Sequence, residues 1–362
     1  MKRIAKCAAF GTALLLGGCA NTGALKSAAD VTLPAKFVLA DDVSAIRDLS
    51  ALLPSDAGYA ALRAAAADAP DLAAALARIE AARGNVRAAN AELLPNSAIS
   101  LNATRERASG AVQPGNPFFV RDRTVLNEGI NASWEIDVFG RLRADQRAAR
   151  ARLSAANADA EAVRLTLDTD IAGSLIDYRE ASARETVVRR DLADAAELVQ
   201  LARVRAAAGI VPTFDAVRAE ALMRDAEARL TVFAGARAGA LGRLIALTGR
   251  DGSFVEAALS QSTEGALPPM IAAGLPSDLL RNRPDVRAAA ARLAASRDAV
   301  ASAAAQRLPR ITLTGALGLL AFANGGVFAA NALQASLGAG LTAPLLDFGR
   351  IGAQIEDRKS VV

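Results

Sequence analysis

Four stretches of the chain alternate between apolar and polar residues, as strands with one buried face do. In the first stretch, apolar residues stand at every second position from Ile99 to Ala103, with hydroxyl or amide residues between them. Each stretch covers on the order of ten residues, the length of a tilted strand that crosses a membrane, but a half-exposed soluble hairpin has the same length. The predicted strands are 96–107, 123–138, 311–320 and 334–345.

Between the two strand pairs, apolar residues recur every three or four positions, which predicts long helices. The stretch 141–208 contains no proline and a single glycine, Gly173. At about 1.5 Å per residue this helix is about 100 Å long, so we expect it to lie in a bundle of long helices and not in one compact domain. Its apolar stripe is Val163, Leu167, Ile171, Leu175 and Tyr178.

A break at 209–215 divides the helical region into two arms. The break reads Gly-Ile-Val-Pro-Thr-Phe-Asp, in which glycine and proline interrupt a helix and Asp215 is predicted to cap the next one. We therefore predict a long antiparallel hairpin from Arg141 to Thr248 with its tip near Val211. The apolar stripe of the second arm is Leu222, Ala226, Leu230 and Phe233.

The residues that end two of the strands are nearly the same, which indicates an internal duplication. Trp-Glu-Ile-Asp-Val-Phe-Gly-Arg at 134–141 corresponds to Ala-Pro-Leu-Leu-Asp-Phe-Gly-Arg at 343–350, and a helix end, a proline and a strand lie upstream of both. The period of roughly 210 residues is far longer than that of solenoid repeats. The predicted fold class is therefore α+β, built from a duplicated helix–strand–strand–helix unit.

Composition excludes several classes of function. Of the 362 residues, 52% are apolar but only 4% are aromatic, and the abundant alanine suits long helices. The 42 basic and 38 acidic residues are interleaved, so no nucleic-acid-binding surface is expected. Because there is no histidine, most zinc sites and proton-shuttling sites cannot be built, and we expect no metal, no cofactor and no enzyme activity.

The start of the chain has the form of a secretory signal that ends at a cysteine. Basic residues precede a short apolar stretch that cannot span a bilayer. The following Leu-Gly-Gly-Cys resembles the bacterial lipobox, so we expect a signal peptide at 1–18 and lipid attachment to Cys19. Ala20 is not the aspartate that is associated with retention in the inner membrane, which favours an outer-membrane location.

The segment 274–287 adds a family resemblance. It reads Gly-Leu-Pro-Ser-Asp-Leu-Leu-Arg-Asn-Arg-Pro-Asp-Val-Arg and resembles the signature of TolC-like outer-membrane efflux proteins, in particular the lipoprotein branch that serves resistance–nodulation–division pumps. The lipobox, the repeated Phe-Gly-Arg and the hairpin break fit the same family. The resemblance implies a membrane protein that forms a homotrimer, with a closed twelve-stranded barrel in the outer membrane and a periplasmic tunnel of long helices. Closure agrees with physics, because strands in lipid cannot keep bare edges.

The resemblance also implies a passive duct that exports drugs or other small molecules, powered by an inner-membrane pump of the resistance–nodulation–division class. A periplasmic adaptor protein would dock at the tip, which is Gly209, Ile210, Val211, Pro212, Thr213 and Asp215. The polar strand positions are candidates for lining the pore, but they would also suit solvated or paired polar groups, and the inward face is left open. These candidates are Ser100, Asn102, Thr104, Asn131, Ser133, Thr312 and Thr314.

The chain departs from the family after the second Phe-Gly-Arg, where a second long hairpin is expected but only a few turns follow. We therefore expect a truncated or frameshifted product, or an incomplete gene model. Two alternatives to the efflux duct stay open: a duct for secreted proteins and a non-conducting, lipid-anchored coiled-coil scaffold. The predicted segments are the signal peptide (1–18), an extended anchored segment (19–54), first-repeat helices (55–95), a first β-hairpin (96–140), the long helical hairpin (141–250), an equatorial loop with a second-repeat helix (251–307), a second β-hairpin (308–346) and the start of the missing hairpin (347–362).

Overall fold

The computed structural model describes residues 56–107, 109, 122–261, 282–321 and 332–360. Within these ranges the chain consists of helices and one antiparallel sheet of four strands. The predicted signal peptide, Cys19, the segment 19–54 and most of the 274–287 motif lie outside the described residues. The helices are α1 (Ala57–Ala65), α2 (Pro70–Ala91), α3 (Arg141–Ala207), α4 (Thr213–Thr248), α5 (Gly252–Ser260), α6 (Pro284–Ala305) and α7 (Arg350–Lys359), and the strands are β1 (Asn96–Arg107), β2 (Asp122–Ile136), β3 (Arg310–Ala321) and β4 (Leu333–Thr342).

The strands pair in chain order, β1-β2-β3-β4, and every neighbouring pair is antiparallel. The β2–β3 ladder therefore joins the two halves of the duplicated unit. The predicted ends of two strands are wrong, because β2 stops at Ile136 and β4 stops at Thr342. Pro344 has no N–H for a ladder bond, and Asp137 turns away to bind the start of α3.

The described residues form two compact units. The sheet unit takes its residues from Glu80–Ala155 and Ala288–Val362 and contains all four strands. Helices α6 and α7 pack together in this unit around a small apolar core. Its buried members are Val300, Ala303, Ile351 and Ile355.

The helical unit takes its described residues from the ranges 56–79, 156–261 and 282–287. Short helices α1 and α5 pack against each other and against the hairpin arm α4. The predicted stripe on α3 is confirmed at its centre, where Leu167, Ile171 and Leu175 are buried. The largest members of the core are Tyr59, Leu62, Ile171, Leu175, Leu244 and Val255.

The hairpin differs from the sequence prediction in two details. Leu222, expected in the buried stripe of α4, is 53% exposed, whereas Ala226 of the same predicted stripe is buried. Ala219 and Ala240, which lie seven and fourteen residues from Ala226, are buried as well. Such a seam fits two long helices that approach closely through small side chains, where the period is 3.5 and not 3.6 residues.

The start of α4 also differs. The helix begins at Thr213, the N-cap position is Pro212, and no side chain caps it. Asp215 is therefore not the cap that was predicted. It lies in the first turn, where its negative charge still favours the positive end of the helix dipole.

Candidate functional site

The register of the sheet brings all the candidate pore-lining residues to one face. Residues that pair directly across antiparallel strands share a face, and the face alternates along each strand. Ser100 of β1 pairs with Gly129 of β2, and Thr314 of β3 pairs with Ser133 of β2. Gly129 and Ser133 are four residues apart on β2 and lie on the same face, so Ser100 and Thr314 share that face too. By the same alternation, this polar face includes Ser100, Asn102, Thr104, Asn131, Ser133, Thr312 and Thr314.

Some of these polar groups bind each other. Asn131 donates from Nδ2 to Ser100 Oγ at 2.9 Å, and Gln334 donates from Nε2 to Asn127 Oδ1 at 3.4 Å. These bonds leave further donor and acceptor positions on each amide, because an amide can make up to four hydrogen bonds. The polar face is thus partly self-paired and still able to bind water or a solute.

The opposite face of the sheet is exposed and mostly apolar, although Glu128 of β2 lies on it between Leu101 and Leu319. Leu337 of β4 is 89% exposed and Ile99 of β1 is 83% exposed. A soluble protein rarely leaves so many large apolar side chains open on one surface, so this face suits contact with another apolar phase or protein. The exposed large residues on this face are Ile99, Leu101, Ile130, Trp134, Leu317, Leu333, Leu337 and Leu341.

The repeated Asp-x-Phe-Gly-Arg and Asp-Phe-Gly-Arg segments hold a helix start at the end of each strand pair. Asp137 accepts the N–H groups of Leu142 and Arg143 at 3.1 and 3.0 Å. Asp347 accepts those of Gly349 and Ile351, both at 3.2 Å, and these backbone bonds hold its pKa below the usual value. Each glycine has a positive φ, 77° at Gly140 and 85° at Gly349, which a residue with a side chain rarely adopts.

The repeat of these segments was predicted from the sequence, but the capping role of the two aspartates was not. The available signal was an aspartate that precedes a glycine and a long helix, a common composition for a helix start. The bonds fix where each strand ends and each helix begins.

At the hairpin tip, Gly209 ends α3 in the left-handed conformation with φ 69°. Its N–H binds Ala206 O at 3.0 Å, and the N–H of Ile210 binds Arg205 O at 2.9 Å, the two bonds of a Schellman cap. Ile210 is 71% exposed, and Pro212, Thr213 and Asp215 are exposed as well, whereas Val211 is half-buried. The predicted tip residues are thus exposed except for Val211, and they include the apolar Ile210.

A charged group joins the two hairpin arms. Glu185 of α3 has a buried side chain that accepts from Arg189 at 2.5 Å and from Arg237 of α4 at 2.7 Å. The hydrogen bond from Arg189 lowers the pKa of Glu185 most, the bond from Arg237 lowers it further, and burial opposes both. The carboxylate is therefore held ionised between the arms.

Because the folded-state pKa of Glu185 is depressed, its stabilising effect is present above the unfolded-state pKa and is lost as pH falls through the folded-state value. The melting temperature can be followed by the helical circular dichroism signal at a series of pH values. As the pH is lowered below about 4.5, we expect this temperature to decrease more steeply in the natural chain than in Glu185→Gln. Glu180→Gln is the matched control, because Glu180 pairs with Arg184 on one exposed helix face. Equal pH dependence in all three proteins would contradict the role of Glu185.

Within the described ranges, no cluster of three or more His, Cys, Asp or Glu side chains is arranged to hold a metal ion. One helix of the described part, α4, is long and apolar enough to cross a bilayer by length and composition alone. Its Arg237 and Arg243 pair with Glu185 and Asp177 of α3, which ties α4 to the other hairpin arm.

Comparison with known proteins identifies the family. Residues 61–250 and 275–360 match the profile of the outer membrane efflux proteins. The chain belongs to this family. The family and the outer-membrane location predicted from the sequence are confirmed.

Among relatives of this efflux family, Nodulation protein T of Rhizobium leguminosarum bv. trifolii is 32% identical over 292 residues, covering 80% of this chain and 61% of the relative. The pyoverdine export outer membrane protein OpmQ of Pseudomonas aeruginosa is 29% identical over 350 residues, covering 94% of this chain and 73% of the relative. A membrane protein from Pseudomonas aeruginosa of known crystal structure superimposes with a TM-score of 0.80 at 27% identity, covering 91% of this chain and 77% of that chain. The chain thus spans about three fifths to three quarters of the length of these relatives.

Proposed function

We propose that this chain is a channel subunit of a tripartite efflux system and that it forms a passive duct for small molecules across the outer membrane. The observation that carries this proposal is the two-faced sheet. One face is exposed and mostly apolar, as lipid contact requires, and the other gathers hydroxyl and amide groups that suit a water-filled path. The family membership supports the location and the transport class.

The free strand edges support assembly with further copies. Strands β1 and β4 each have one neighbour within the described residues, so one edge of each offers unpaired N–H and C=O groups. In lipid each N–H or C=O group without a hydrogen bond costs roughly several kcal/mol, so a sheet in the membrane must close on itself. Three copies of four strands would close a twelve-stranded barrel, the arrangement that the resemblance implies.

In this arrangement the seven lining candidates would face the lumen, and the long helices α3 and α4 would form a periplasmic tunnel. The hairpin tip from Gly209 to Asp215 would contact a periplasmic adaptor, and an inner-membrane pump of the resistance–nodulation–division class would supply the energy. Acyl chains on Cys19 would add a second attachment to the outer membrane. The chain itself would carry out no covalent chemistry.

The substrate class is small molecules and not secreted proteins. The Gly-Leu-Pro-Ser-Asp segment supports this assignment, as does OpmQ, a relative named for the export of pyoverdine. A non-conducting helical scaffold is less suitable, because it gives no role to a sheet with an exposed apolar face.

Single-channel recording tests the proposal. The purified full chain is added to a planar lipid bilayer, and its mass is measured in mild detergent. We expect discrete conductance steps and a mass of three copies. A monomer that gives no conductance, although it fractionates with outer membranes, would refute the duct.

A further inference from the structure

The charges on the polar face of the sheet lie only at its two ends. Glu106 of β1 and Arg123 of β2 pair directly across the ladder near one end and bind each other. Glu135 and Arg310 lie near the other end. Between the ends, the polar face offers hydroxyl, amide, apolar and glycine positions and no ionised group. Any selection for charge by the sheet must therefore arise at its ends.

Three of these charges are already balanced. Glu106 and Arg123 neutralise each other. Glu135 accepts three hydrogen bonds from Arg141. Nη2 donates to its two oxygens at 2.9 and 3.0 Å, and Nε donates at 3.1 Å. A solute that passes these groups meets paired charges whose fields largely cancel at a distance of several ångströms.

Arg310 is the unbalanced charge. It is the first residue of β3, its side chain is exposed, and it makes no ion pair with the carboxylates of the described residues. The acidic residues that line the same small cavity are Glu135 and Asp137. Glu135 is held by Arg141, and Asp137 is held by two backbone N–H groups and lies 3.6 Å from Arg143. Both neighbours are thus already satisfied.

We propose that Arg310 is a charge-selectivity residue of the duct and that it attracts anionic solutes at the helix-side end of the sheet. This inference rests on the proposed function, because only copies around a closed barrel convert one arginine into a ring. Rings of arginine or lysine favour anions in pores, as rings of carboxylates favour cations. The solutes favoured would be small organic anions, since the neighbouring lumen positions, such as Thr312 and Thr314, also offer hydroxyl groups for hydrogen bonding.

Reversal potentials in a potassium chloride gradient across a planar bilayer test this inference. Replacing Arg310 with Gln is expected to lower the chloride-to-potassium permeability ratio by about tenfold. One unit charge about 6 Å away in water favours chloride by about threefold and disfavours potassium by about threefold, and the ratio combines both effects. Arg107→Gln is the matched control. Arg107 lies on the opposite face of the sheet, away from the proposed lumen, and its charge is paired with Asp122. It is expected to leave the ratio unchanged.

One other variant extends the test. Arg123→Gln removes a positive charge from the other end of the polar face and is expected to lower the ratio. Open channels whose ratio is the same in Arg310→Gln and in the natural chain would overturn the role of Arg310 while leaving the duct intact. Absence of channels in the natural chain would instead overturn the proposed function itself.

Discussion

Replacing Leu337 with Arg is expected to destabilise the membrane-inserted form by about 2–4 kcal/mol per copy, the typical cost of a cation on the lipid face of a barrel near the midplane. Leu337 lies inside β4 on the apolar face and is 89% exposed, so nothing within the described residues shields a charge placed there. The fraction of protein that resists extraction from outer membranes by urea, measured against urea concentration, reports this loss.

Ser336→Arg is the control for the same strand. Ser336 is the preceding residue, it is exposed, and it lies on the polar face, where the proposed lumen would leave the new guanidinium in water. We expect its urea midpoint to stay close to that of the natural chain. If the two variants were extracted alike, or if Ser336→Arg were the more damaging, the polar face would not be the lumen side.

The faces of the sheet could be predicted from the sequence because a strand has a period of two residues. Once Ile99 and Ser100 are assigned to opposite faces, every other residue of β1 follows. The sequence could not supply the register between strands, which depends on hydrogen bonds formed over long separations. In the structure that register brings the polar positions of all four strands to a single face.

The errors came from places where packing overrides local pattern. Leu222 fits a helix stripe with a period of 3.6 residues, but two paired helices select a period of 3.5 and bury Ala219 and Ala240 beside the predicted Ala226. Asp215 is a favourable cap residue, but Pro212 starts the helix one turn earlier because proline suits the positions next to a helix start. The role proposed for Arg310 could not be predicted from the sequence, since it depends on which carboxylates are already paired.

The two halves of the duplicated unit meet at a pair of glycines, Gly129 of β2 and Gly318 of β3, which stand directly opposite each other. A Cβ atom at Gly318 would lie 2.3 Å from Glu128 O and 2.8 Å from the Cα of Gly129. These are backbone atoms, so no side chain can move aside and the strands themselves must separate. The absence of side chains at this point therefore permits the close approach of β2 and β3.

Gly318→Ala is accordingly expected to destabilise the folded sheet by about 1–3 kcal/mol, the usual cost of overpacking, and to weaken assembly into oligomers. Gly315→Ala on the same strand is the matched control, because its Cβ would be 3.9 Å from the nearest atom, the flexible end of Leu337. That variant is expected to be neutral or to stabilise by about 0.4–1 kcal/mol, since alanine reduces the freedom of the unfolded chain. The stability of both variants can be measured on detergent gels, as the temperature at which the band of folded protein is half converted to the band of unfolded protein. A Gly318→Ala protein as stable as Gly315→Ala would mean that β2 and β3 can separate without loss, and that the two strand pairs are held together by something other than this ladder.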